Sequence, residues 1–149
     1  IGNKMENDKE QTVEKEETKT STPQFDKDEL LAIFDKIIFE GEYSEQVRIK
    51  GKLPVTFKTR SAGDTLAISK TIDAIQANLI VTINEQRAIL NLGYSMIEYS
   101  GKDLSKSTVE DRLVFVKKLP VPVIAALSDA LAKFDLKVDT ACREGEENF

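Results

Sequence analysis

The chain is short of side chains that do chemistry near neutral pH. It has no histidine, no tryptophan and a single cysteine, Cys142. Without imidazole there is no Ser-His or Cys-His pair to activate a nucleophile, and no nitrogen ligand for a transition metal. Cys142 sits between Ala141 and Arg143, a setting that reads as a passive, partly packed thiol. Glu110-Asp111 and Glu146-Glu147 are adjacent in sequence, and on a helix such neighbours diverge by about 100°, so they do not converge on a substrate. Gly101-Lys102-Asp103 has neither the hydroxyl residue after the lysine nor the upstream glycine of a phosphate loop. Asp26-Lys27-Asp28-Glu29 lacks the oxygen spacing and the bend glycine of a calcium loop. These residues imply a protein that is not an enzyme, with no cofactor and no metal ligands.

One pattern does imply chemistry, of an electrostatic kind. Residues 46–60 hold five cations and no acid. Val47, Ile49, Leu53, Val55 and Phe57 take odd positions, while Arg48, Lys50, Lys52, Lys58 and Arg60 take even ones. In a β-hairpin this alternation sends apolar residues to one face and cations to the other. The basic stripe reads either as a solvated face, neutralised by the chain's own acids, or as a docking surface for an acidic partner. Nucleic acid is the weaker form of the second reading. The stripe has no outward aromatic for base stacking, and the net charge of the chain is −5.

That acid excess is uneven. Residues 1–29 carry nine acids and five lysines, a net of −4, which leaves −1 for the other residues. The first 24 residues hold only Ile1, Met5 and Val13 as large apolar side chains. Such a segment cannot bury enough surface to offset its chain entropy. Residues 1–25 are thus expected to be a disordered acidic arm, either a solvated tether or a segment that orders against a partner. Thr20-Ser21-Thr22-Pro23 marks its boundary. The lone cysteine rules out an internal disulfide framework. No apolar run is long enough for a membrane span, and the start lacks a secretory h-region. Because the chain begins with Ile1, it is read as part of a longer reading frame.

Residues 26–149 are expected to form one α+β domain: a small antiparallel β-hairpin or sheet with four or five helices. Leu30, Phe34, Ile37 and Ile38 have the spacing of a helix face, with Asp26, Asp28 and Glu29 in its first turn. Ile37–Glu40 fits helix and strand equally. The hairpin should reverse near Gly51-Lys52, with Pro54 where no ladder bond is needed. Ser61 reads as an N-cap, followed by Ile68, Ile72, Ile75 and Leu79 at helical spacing. Thr82 and Glu85 read as a capping box for a helix with Ile83, Leu90, Tyr94 and Ile97 on its apolar face, stopping at Gly101. A second box, Ser107 to Glu110, opens a helix through about Lys117. Pro120 and Pro122 suit the first turn of the last helix, whose face is Val123, Leu127, Leu131, Phe134 and Val138. The terminal Phe149, after a charged run, reads as an anchor or as a frayed end.

Three phrases resemble small baseplate-hub and tail-assembly proteins of large contractile-tailed bacteriophages. The first is Val55-Thr56-Phe57-Lys58-Thr59-Arg60 after the glycine-containing hairpin. The second is Ala88 through Ser95, followed by Ser100-Gly101-Lys102. The third is Phe115 through Pro120, then the helix through Leu127 and Phe134 and the closing Glu147-Asn148-Phe149. The resemblance spans residues 40–149 and carries no catalytic or metal-ligand residue. It implies a non-enzymatic structural or assembly protein of a phage tail, assembled in the host cytoplasm and retained in the virion. Its partners would be other tail or baseplate proteins, or further copies of itself, met through Arg48, Lys50, Lys52, Lys58, Arg60 and Phe149. A tail-assembly chaperone that leaves the particle, or a soluble adaptor binding an acidic protein, are the alternatives.

Overall fold

The structure, a computed structural model, describes residues 25–75 and 80–147, with side chains over 25–75 and 83–143. The acidic arm, apart from Phe25, lies outside the described residues, as do Leu79 and Phe149. Helix α1 (Lys27–Glu40) starts with Asp28 and Glu29 in its first turn and ends at Gly41, whose N–H donates to Ile37 O at 3.0 Å. The ambiguous stretch Ile37–Glu40 is therefore helical. Its buried face is Leu30, Ile33 and Ile37, against Val138 and Ala141, whereas Ile38 is exposed. Ile38 falls 100° from Ile37, on the solvent side of the stripe.

Strands β1 (Ser44–Ile49) and β2 (Leu53–Lys58) pair antiparallel, with Val47 opposite Val55 and Arg48 opposite Pro54. The reversal sits at Lys50-Gly51, where Lys52 N–H donates to Ile49 O at 3.1 Å. Both residues have positive φ, +53° and +68°, as in turns whose twist matches the strands they join. Glycine takes that conformation freely, and Lys50 takes it under mild strain. Pro54 C=O accepts from Ser100 N–H at 2.8 Å. Its missing donor thus falls one residue beyond the third strand, at the ladder's end.

Helix α2 (Ala62–Asp73) opens with a reciprocal box: Ser61 Oγ accepts from Asp64 N–H, and Asp64 Oδ2 accepts from Ser61 N–H, each at 3.0 Å. Helix α3 (Ile80–Ser95) begins two residues before Thr82, so Thr82 lies inside a helix and does not cap one. The helix also stops earlier than its apolar spacing implies. Met96–Tyr99 forms β3 on the free side of β2, with a bulge at Thr56/Phe57, and Ser100-Gly101 turns the chain into β4 (Lys102–Asp103). Gly101 is a hairpin residue at φ +84°. Pairing with β2 overrides the local helical pattern, as non-local contacts do for short β-prone runs.

Helix α4 (Val109–Lys117) is capped by Thr108, whose Oγ1 accepts from Asp111 N–H at 3.1 Å, one residue later than the expected box. The last helix, α5 (Val121–Glu147), runs across the sheet. Its predicted face holds: Leu127, Leu131 and Phe134 are buried with Val55, Phe57, Leu92, Met96, Leu104 and Val116, and Val123 and Val138 pack alongside. A smaller cluster, Ile68, Ile72 and Leu90, seats α2 on α3. The four strands lie in the order β1-β2-β3-β4, and this makes the fold α+β with five helices among the described residues. Buried Arg112 fixes the joint between β4 and α4. It donates from Nε to Gly93 O at 2.7 Å and from Nη1 to Ser107 O at 2.9 Å, so its charge is spread over carbonyl oxygens.

Candidate functional site

The hairpin divides the five cations of the stripe into two groups. Arg48, on β1, and Lys50 and Lys52, in the turn, are exposed. None of the three forms an ion pair among the described residues. Lys58 is half-buried and lies 3.7 Å from Glu42. Arg60, past the end of β2, leaves the stripe altogether: it donates from Nη1 to Ser95 Oγ at 2.5 Å and from Nη2 to Asp135 Oδ2 at 2.7 Å. Alternation predicts outward side chains only while the strand lasts, and β2 ends at Lys58. Arg60 is thus a structural tie between β2, α3 and α5.

The outward sheet face is less basic than the sequence implies. Glu98 of β3 lies opposite Thr56 and accepts from Gln46 Nε2 at 2.8 Å and from Thr56 Oγ1 at 3.4 Å. A carboxylate from a strand hidden in a helical pattern therefore interrupts the stripe. The cationic surface that remains is the tip of the hairpin.

On the inward side of β1, Lys137 Nζ bridges Glu29 at 2.6 Å and Glu45 at 2.7 Å, joining α5 to α1 and β1. Partial burial works to lower the Lys137 pKa, but the hydrogen bonds and charges of Glu29 and Glu45 outweigh it and hold it above its ordinary value. The neighbouring Tyr43 phenol is pushed up to about 12, first by burial and then by the charge of Glu45. Its ring stacks on Phe134 with centroids 6.0 Å apart. Asp103, at the other end of the sheet, is held below its usual range by hydrogen bonds from the Ser105 hydroxyl and backbone N–H. Lys137 thus locks α5 to α1 and β1, Tyr43 packs on α5, and the Asp103 bonds reach only the loop that follows β4. Among the described residues no cluster of histidine, cysteine, aspartate and glutamate has a metal-binding arrangement.

A second exposed surface escaped the sequence reading. Leu31, Ile38 and Phe39 of α1 are exposed, Phe39 at 82%. The signal was present in the spacing, since Leu31 and Ile38 are seven residues apart and thus share a helix face. Cys142 is partly buried on α5. No described helix is long and apolar enough to cross a membrane. Comparison with family models, with curated proteins and with solved structures finds no match to this chain. What fold and surface define is an α+β protein with a cationic hairpin tip.

Proposed function

We propose that this chain works by docking and not by catalysis, as a structural or assembly protein of a contractile phage tail that meets an acidic partner protein through its hairpin tip. The observation that carries the docking is the trio Arg48, Lys50 and Lys52, exposed and without counter-ions among the described residues. Three cations at one hairpin tip, one on β1 and two in the turn, attract an acidic surface over about a Debye length and orient its approach. The side chains behind them are tied: Glu45 to Lys137, Glu42 to Lys58, and Glu98 to Gln46 and Thr56. The hairpin is thus held in shape before any partner arrives, which lowers the ordering cost of association. What supports the tail setting is the resemblance of the phrases Val55 through Arg60, Ala88 through Ser95 and Phe115 through Pro120 to those of small baseplate-hub and tail-assembly proteins, which favours the baseplate over other parts of a tail.

Mass spectrometry of purified tailed particles, from a host whose genome carries the gene, tests the setting. Detection in the mature particle at baseplate-like copy number is the expected result. Presence in lysates with absence from particles would make it a transient chaperone. A gene lying outside any phage-like cluster would overturn the tail setting and leave a soluble adaptor.

A further inference from the structure

Among the described residues β1 is an edge strand, because the sheet order begins with it. Tyr43 O accepts from Thr59 N–H at 2.9 Å, and this bond sets the alternation of the ladder. Glu45, Val47 and Ile49 turn their backbone groups to β2. Ser44, Gln46 and Arg48 turn theirs away from it, and no described backbone hydrogen bond outside the ladder reaches them. A groove of about 420 Å³ runs along this edge, between Val47 and Ile49 on one side and Ala126 and Ala130 of α5 on the other, with Phe25 lining it too. Val47 is only partly buried, while Val55 opposite it is wholly buried. An open ladder beside an apolar trough is the arrangement to which an extended segment adds as a further strand.

We infer that the edge of β1 and this groove take an extended acidic segment of the partner protein as a fifth strand. The inference rests on the docking reading above and specifies the form in which the partner binds. Main-chain bonds would run to Ser44, Gln46 and Arg48, and a segment matching the length of β1 covers about 20 Å. Alternate side chains of the segment would lie over Ala126 and Ala130, whose small size leaves room. The charge of the rim selects the occupant. Arg48, Lys50 and Lys133 border the groove, Asp129 opposes them, and Glu45 is already held by Lys137. Acidic side chains on an added strand meet these cations favourably.

Residue-resolved amide hydrogen exchange on the full chain tests this. The probe is a capped octapeptide of alternating glutamate and valine, with the lysine-valine analogue as control. At a probe concentration about ten times Kd, the edge is free about a tenth of the time, so exchange at Gln46 and Arg48 slows about tenfold. The control, and a probe N-methylated at alternate residues, give no protection. The variant Gln46→Pro removes one outward donor where an edge strand tolerates proline, and it too should lose probe binding. The N-methylated probe reads the same bond without altering the protein. No protection at millimolar probe overturns the inference. If Arg48→Glu and Lys52→Glu still abolish association with the acidic partner in that case, the docking reading stands alone. Protection in the free protein that rises with its concentration would assign the edge to a second copy. Protection independent of concentration would assign it to the chain's own residues. Either result overturns the partner-strand inference.

Discussion

Replacing Arg60 with glutamate should destabilise the protein far more than the same change at Arg48 or Lys52, although alternation in the sequence groups all three. The Arg60 side chain is 19% exposed, and its guanidinium donates to Ser95 Oγ and Asp135 Oδ2. Ser95 is fully buried, so losing this donor leaves its hydroxyl without the partner it has, at a cost of about 1–2 kcal/mol. Asp135 is 40% exposed, and solvent screening limits the ion pair itself to about 0.5 kcal/mol. A glutamate also sets a second carboxylate beside Asp135, which brings the total to about 2–3 kcal/mol. For a domain of this size the thermal midpoint should fall by roughly 10 °C. Arg48→Glu and Lys52→Glu, on exposed positions, should each stay within about 0.5 kcal/mol of the parent. Urea denaturation followed by circular dichroism measures all three. Equal losses at positions 48, 52 and 60 would refute the division of the stripe into a free tip and a buried tie.

Lys50→Asn should stabilise the hairpin by about 0.5 kcal/mol, because asparagine tolerates positive φ better than lysine; it should also weaken partner association, and a calorimetric midpoint with a binding isotherm checks both. Stability should fall by about 1–2 kcal/mol between about pH 10 and 12 after allowance for solvent screening. Tyr43 and Lys137 both have folded pKa values raised above their ordinary 10.0 and 10.5. Their contribution is therefore complete below pH 10 and is lost as pH climbs through the folded values, which chemical denaturation across that window will show. Gly93→Ala should cost about 1–3 kcal/mol, because a Cβ there would stand 2.4 Å from Leu113 Cδ2 where α3 meets α4. Shortening Leu113 to alanine in the same chain should recover part of the loss.

The helices were legible where one face alone decides them. Val123, Leu127, Leu131, Phe134 and Val138 keep strict helical spacing and all join the core. Ser61 capped its helix as its type and position implied. β3 was hidden because Ile83, Leu90, Tyr94 and Ile97 continue a helical period through it, and only pairing with β2 breaks that period. The same concealment misjudged the stripe, since Glu98 is carried by the unseen strand. Arg60 was misplaced for a different reason: alternation carries no information past the last strand residue. Arg48, Lys50 and Lys52 were legible because a turn with glycine at its centre exposes what flanks it. Phe149 and the acidic arm lie outside the described residues.

Site-specific photo-crosslinking tests the central claim that the hairpin tip docks an acidic partner. A photoreactive residue replaces Lys52, and a control replaces the exposed Glu110 on α4, with crosslinking carried out in lysates of cells that carry the gene. A single adduct from position 52, mapped by mass spectrometry to an acidic segment of one partner protein, is the expected result. That adduct should disappear when Arg48→Glu and Lys50→Asn are combined, or when salt is raised to about 0.5 M, where the Debye length shrinks below 5 Å. Adducts no more frequent than at position 110, or an adduct that survives both the charge changes and the salt, would contradict it.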